Sequence, residues 1–292
     1  MRNYIKYPPF RWREHKGRCI PRGPSFRWAK KVTVRLTDCT LSLRLPRHAP
    51  RPGADSGEWR LLPRVYDLEG QDHSDREMPS QSWLYEGIIA RAWAFYGPWF
   101  TGCKGNVHFS LVGLRLSQPN PQINFLHPRA LETGALGYIT ACWGHEVYGN
   151  KAYYQAPLNW TPLQHLPLPA VRFDMRCVIQ AGELKRFVFF PVGRDKLIKI
   201  SFTCHQYATG TQEEIDARVS PEPMLELVEN IISSLQVSLS PELQREVDAV
   251  REAYPDAAVS PDCPPLDWPA HVDRDGLTIL PYDEKLYAQP VR

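Results

Sequence analysis

The sequence predicts an α+β fold: an antiparallel sheet packed by helices, with an irregular basic N-terminal arm and a Pro-rich C-terminal tail. Three observations predict it. Residues 184–191 and 197–204 are apolar-rich runs separated by Gly193-Arg194-Asp195, the pattern of a two-stranded ribbon. In the second run Ile198, Ile200, Phe202 and Cys204 alternate with Lys199, Ser201, Thr203 and His205, which predicts one buried and one wet face. After a charged spacer, residues 221–235 carry Met224, Leu225, Val228, Ile231, Ile232 and Leu235 at helical spacing. A ribbon followed by a packing helix is an antiparallel α+β arrangement.

The other elements follow in order. Residues 1–30 are basic, aromatic and turn-rich; Pro8, Pro9, Pro21 and Pro24 forbid a long helix, so this is an irregular arm. Val32, Val34 and Leu36 alternate with polar residues, and Leu41, Leu43 and Leu45 do so in the opposite phase. The change of face at Asp38-Cys39 marks a turn or bulge between two strands. Residues 46–60 are a loop. Residues 80–96 read as a helix, with Trp83, Leu84, Ile88, Ala92, Trp93 and Tyr96 on one broad face, Ser80 or Ser82 as its cap and Gly97-Pro98 as its end. Residues 107–116 are a strand with Gly113 as its bulge. Pro128 opens a helix, residues 138–143 read as a strand, and residues 171–179 return to the sheet. Thr211 and Glu214 make a capping box, and Ser240-Pro241 opens a helix that ends near Tyr254. The organisation is therefore an arm (1–30), an α+β domain with long insertions (31–239), and a helix with a Pro-rich tail (240–292).

Hydrophobic residues make up 43% of the 292, enough for a substantial core. The 28 prolines are about twice the usual ~5%, which points to long irregular connections. Seven cysteines are scattered without a CxxC pair, as expected of reduced thiols in a cytoplasmic protein. No secretory signal and no run of about 18 uncharged apolar residues is present. Net charge is +3, but residues 1–51 hold 14 Lys and Arg against Glu14 and Asp38, so the remainder is net −9. The arm therefore either folds back on its own acidic body or meets an acidic partner. In the first case Phe10, Trp12, Phe26 and Trp28 are its expected apolar anchors.

Motifs for chemistry are sparse. There is no GxGxxG, P-loop or GxSxG, and His145-Glu146 departs from HExxH at Gly149, so no cofactor or metal is expected. Cys142, three residues before His145, is a candidate nucleophile only with a base brought from a distance, such as His108 or His205. The stronger signal is aromatic and cationic. Arg and aromatic residues anchor interfaces, and the expected partner-binding residues are Arg11, Trp12, Arg13, Arg27, Trp28, Tyr96, Trp99, Tyr153, Tyr154 and Trp160. Nucleic acid is the less favoured partner for the same pattern.

The run Leu197-Ile-Lys-Ile-Ser-Phe-Thr-Cys204, followed by Met224 and Ile231-Ile232-Ser233-Ser234-Leu235, resembles the end of DcrB-like or PsbP-like domains. The segment Val32-Thr-Val-Arg-Leu with Leu43-Arg-Leu-Pro46 is similar to their opening strands. The resemblance covers about residues 31–239 and implies an antiparallel sheet carrying helices. It also implies a bacterial accessory protein of a type VI secretion locus, an effector chaperone or immunity protein in a toxin–antitoxin-like pair, and it carries no catalytic residues. Two expectations follow. The first is a non-enzymatic, cytoplasmic immunity or adaptor protein that binds a secreted effector or toxin. The alternative is a cysteine-dependent hydrolase using Cys142.

Overall fold

The computed structural model describes residues 6–14, 17–54, 58–68, 83–118, 120–149 and 151–268. The fold is α+β and mostly antiparallel. Its strands are β1 (Lys30–Leu36), β2 (Cys39–Leu45), β3 (Val65–Tyr66), β4 (Trp83–Tyr96), β5 (Cys103–Leu116), β6 (Val147–Tyr148), β7 (Lys151–Ala152), β8 (Tyr154–Pro162), β9 (Val171–Cys177), β10 (Glu183–Pro191), β11 (Lys196–Gln206) and β12 (Gln236–Leu239). Its α-helices are α1 (Pro128–Ile139), α2 (Gln212–Arg218), α3 (Glu222–Ser233) and α4 (Pro241–Ala253).

A large sheet runs β4-β5-β11-β10-β9-β8, every neighbour antiparallel. A small sheet runs β12-β2-β1-β3, with β1 and β3 parallel. The ribbon of β10 and β11 lies at the centre of the large sheet and keeps the alternation seen in sequence. Ile198, Ile200, Phe202 and Cys204 join a core shared with Leu41 and Leu43 of the small sheet and with Met224, Val228, Ile231 and Ile232 of α3. The opposite face holds a second core, where Phe173, Phe187, Phe189 and Leu197 lie under Leu131, Ala135 and Ile139 of α1. Residues 259–268 pack over the same face, and Trp268 is buried there with its indole N–H donated to Thr140 Oγ1.

The face of β11 expected to be wet is therefore dry at Lys199. That side chain is buried beneath α1, and its Nζ donates to Tyr138 Oη at 2.8 Å. Burial holds its ammonium pKa down to about 8.

Two expected elements have the wrong type. Residues 83–96 are a strand, not a helix; the expected caps Ser80 and Ser82 lie outside the described residues. Ile88, Ala90, Ala92, Trp93, Ala94 and Phe95 are all buried because both faces of β4 are covered, so its apolar residues run together instead of alternating. A register shift between Gly87 and Ile89 further breaks the period. Conversely, residues 138–143 are not a strand. Helix α1 begins at Pro128, capped by His127, whose ring nitrogen accepts from Arg129 N–H at 3.2 Å. It runs on into a π-helical turn, Thr140–Gly144. Gly113 is not a bulge either. It pairs in register with Ile198, and a Cβ there would lie 2.2 Å from Leu68 Cδ2, so the position needs glycine for close approach.

Local signals elsewhere are realised as read. The capping box of Thr211 and Glu214 starts α2, and Ser240 Oγ accepts from Leu243 N–H to start α4. Among the described residues no helix is long and apolar enough to cross a membrane. The tail expected beyond residue 268 lies outside the described residues.

Candidate partner-binding surface

The arm is docked on the body, chiefly through backbone hydrogen bonds. Trp12 N–H and Arg13 N–H both donate to the Phe100 carbonyl, at 2.8 and 3.1 Å. Cys19 N–H donates to Arg218 O at 2.7 Å, and Ser220 N–H returns to Cys19 O at 2.9 Å. Arg22 and Tyr96 exchange both backbone hydrogen bonds. Cys19 is the buried side chain of this segment, with burial pushing its thiol pKa up. The expected aromatic anchors are a correction. Phe10, Trp12 and Trp28 are 59%, 73% and 77% exposed, and only Phe26 leans on the core.

What the aromatics do is visible at the turn between β4 and β5. Trp99 and Phe100 both adopt positive φ, 51° and 68°, followed by Gly102 at 73°. Two consecutive bulky L-residues in the left-handed region carry on the order of 1–2 kcal/mol of strain each. The arm holds them there through the two bonds to Phe100 O, and Thr101 Oγ1 closes the turn onto Pro98 O at 2.8 Å. A Cβ on Gly102 would lie 2.8 Å from Arg11 Cβ, so glycine lets the arm pass.

The result is a raised row of rings. Phe100 stacks on Trp12 at 4.7 Å with planes 5° apart, and Trp12 stacks on Phe10 at 5.9 Å. Trp99 is 54% exposed beside them, with Lys6 Nζ 5.9 Å from its ring. Arg11 and Arg13 flank the row, Arg11 pairing with Glu14 at 2.8 Å. The tip thus presents large flat apolar rings in a cationic surround, a combination suited to anchoring in a complementary partner pocket.

Of the residues expected at an interface, Arg11, Trp12, Arg13, Tyr96 and Trp99 converge here. Tyr96 serves mainly through its backbone, and burial raises its phenol pKa. Arg27 and Trp28 form a separate exposed pair beside β1, the guanidinium 5.6 Å from the indole ring. Tyr153 and Tyr154 meet edge-on at 5.0 Å at the start of β8, where Lys185 covers Tyr154. Trp160 is a correction: it is buried, stacked on Phe173 at 5.4 Å, and donates its indole N–H to Ser260 O. Phe100 and Lys6 are the contributors that sequence reading overlooked. The flanking Gly97 and Gly102 were the one local signal of a turn at that place.

Cys142 lies in the π-helical turn, not on a strand. Its thiol is buried beside Tyr138 and Lys199, and burial raises its pKa despite the nearby ammonium. His108 and His205 instead face each other on β5 and β11, ring centroids 6.1 Å apart, with His205 Nδ1 3.4 Å from Glu183. Burial is the main cause lowering the pKa of each. Among the described residues no three His, Cys, Asp or Glu converge to hold a metal. In comparison with known proteins, no protein-family model matches this chain, and neither does any curated protein or solved structure.

Proposed function

We propose that this protein is a non-enzymatic binding module whose ridge of Phe10, Trp12, Trp99 and Phe100 docks a protein partner. The observation that carries the reading is the pair of left-handed aromatics, Trp99 and Phe100, held in that conformation by the arm. Strain at a turn tip that also raises aromatic rings into water is a local loss in the free protein, and burial of those rings in a complex offsets it. The ribbon and packing helix that resemble DcrB-like or PsbP-like domains suggest the partner class, a type VI secretion effector met by an immunity or adaptor protein. Seven free cysteines suit a reducing cytoplasmic setting.

The test starts with affinity capture from the native host using the wild type and the Trp12→Ala/Trp99→Ala double variant. A partner recovered by the wild type is then purified and titrated calorimetrically against both. The expected result is a loss of at least about 30-fold in affinity, the scale of a two-residue aromatic hot spot. Undiminished binding by a folded double variant removes the ridge from the interface.

A further inference from the structure

Next to the ridge, five separate segments converge on an open cavity of about 740 Å³. Its walls are the arm at Arg11 and Glu14, the start of β5 at Lys104, the turn before β10, the end of β11, and the last turn of α2 at Arg218. The docked arm supplies one wall, so the cavity depends on the same backbone bonds that build the ridge.

The charges around it do not balance. Glu14 is paired with Arg11, and Glu183 is paired with Lys185 and approached by His205. Lys104 and Arg218 have no acidic partner among the described residues. Arg218 Nη1 reaches only the Thr209 carbonyl, at 3.0 Å. Both cations stand on anchored backbone: Lys104 O accepts from Tyr207 N–H at 2.8 Å, and Arg218 O accepts from Cys19 N–H at 2.7 Å. Two positioned cations facing a polar cavity, with its acids already engaged, attract an anion.

We propose that this cavity receives a carboxylate side chain from an acidic segment of the partner, with Lys104 and Arg218 as its pairing cations. The proposal rests on the ridge being the docking surface, since Arg11 belongs to both. The charge of the arm fits an acidic partner: residues 1–51 hold 14 Lys and Arg against two acids. A carboxylate fits better than a phosphate because Glu14 and Glu183 also line the cavity, and their repulsion grows with ligand charge.

A fluorescein-labelled decapeptide of alternating Glu and Ala, titrated into the full chain by anisotropy, tests this. The controls are the Lys-Ala decapeptide and competition by inorganic phosphate. We expect the acidic peptide to bind and to weaken about tenfold between about 50 and 300 mM salt, as screened charge pairs do. Lys104→Glu/Arg218→Glu should lower affinity at least about tenfold, with Lys104→Gln/Arg218→Gln intermediate. Trp12→Ala/Trp99→Ala should leave the short peptide's affinity within about twofold, because the ridge rings lie outside the cavity. Failure of the acidic peptide to bind, equal binding of the basic peptide, indifference to charge reversal, or displacement by equimolar phosphate each overturns the proposal. If the ridge variant loses the captured partner while the charge-reversed protein keeps it, the cavity assignment falls and the ridge stands. If the charge-reversed protein loses both peptide and partner while the ridge variant keeps both, the cavity is upheld and the ridge falls.

Discussion

Arg186 and Asp174 stand directly opposite each other on β10 and β9, joined by two parallel hydrogen bonds, Nε to Oδ1 at 2.6 Å and Nη2 to Oδ2 at 2.9 Å. Asp174 is 1% exposed and also accepts from Asn159 Nδ2. The outer side of Arg186 donates to Glu229 of α3, which Arg172 also holds at 2.7 Å. Burial opposes the charge on Arg186, and the two carboxylates more than offset it, raising its pKa. The network ties α3 to the sheet at the end far in sequence from its apolar stripe.

Removing one partner strands the other as a buried charge. Asp174→Ala is expected to destabilise by about 3–5 kcal/mol. The Asp174→Leu/Arg186→Met double variant should lose much less than the sum of the single changes. Urea unfolding of the four-protein cycle measures both; additive losses would show that the two side chains are not coupled.

Helix α3 packs through Val228, Ile231 and Ile232, with Leu235 just beyond it. Ile232→Ala should cost about 2–5 kcal/mol, the transfer term plus the cavity left behind. A change below about 0.5 kcal/mol in denaturant unfolding would remove this helix from the core.

Lys199 gives a pH dependence of definite sign. Its pKa is lowered from 10.5 to about 8, chiefly by burial, so between these values the unfolded chain binds more protons than the folded one. Stability therefore rises with pH through that window, and the penalty, about 3 kcal/mol, is fully present below it. Lys199→Met should abolish this rise while losing the bond to Tyr138. Unfolding free energies of both proteins at pH 7.5 and 10.5, compared as a difference of about 3 kcal/mol, check it; parallel curves refute it.

Cys142 should behave as an inert thiol. Burial keeps it protonated at neutral pH, so brief alkylation of the native protein should mark partly exposed Cys177 and Cys263 before it. Cys142→Ser should leave partner binding unchanged. Rapid labelling of Cys142, or loss of activity in a folded Cys142→Ser protein, would restore the cysteine-hydrolase reading.

The arm should resist proteolysis at low and high salt alike, because backbone pairing at Trp12, Cys19 and Arg22 holds it, and such bonds are not screened as charges are. Trp28→Ala should change stability by less than about 0.5 kcal/mol, since that ring is 77% exposed. Cys19→Asp should free the arm by placing a charge in a buried site. Trypsin cleavage after Arg18 and Arg22, followed by mass spectrometry at two salt concentrations, distinguishes these outcomes; protection lost only at high salt would mean that charge alone docks the arm.

The sequence by itself determined the parts governed by near neighbours. The alternation of β11, the apolar stripe of α3, the capping box at Thr211 and the caps at Ser240 and Pro128 depend on residues within one or two turns, and each forms as read. Tertiary structure decided what depends on cover and on distant partners. A strand buried on both faces loses its period, so β4 read as a helix until α1 and the small sheet were seen to cover it. Lys199 was assigned to water because nothing local announces Tyr138 above it. Trp160 was assigned to a surface because its cover, Ser260, comes from 100 residues away. The ridge itself joins residues near position 12 to residues near position 100, and their left-handed backbone is stable only because the arm supplies the hydrogen bonds that hold it. Such strain is set by the assembled fold, which is why composition pointed to aromatic and cationic binding chemistry but could not place it.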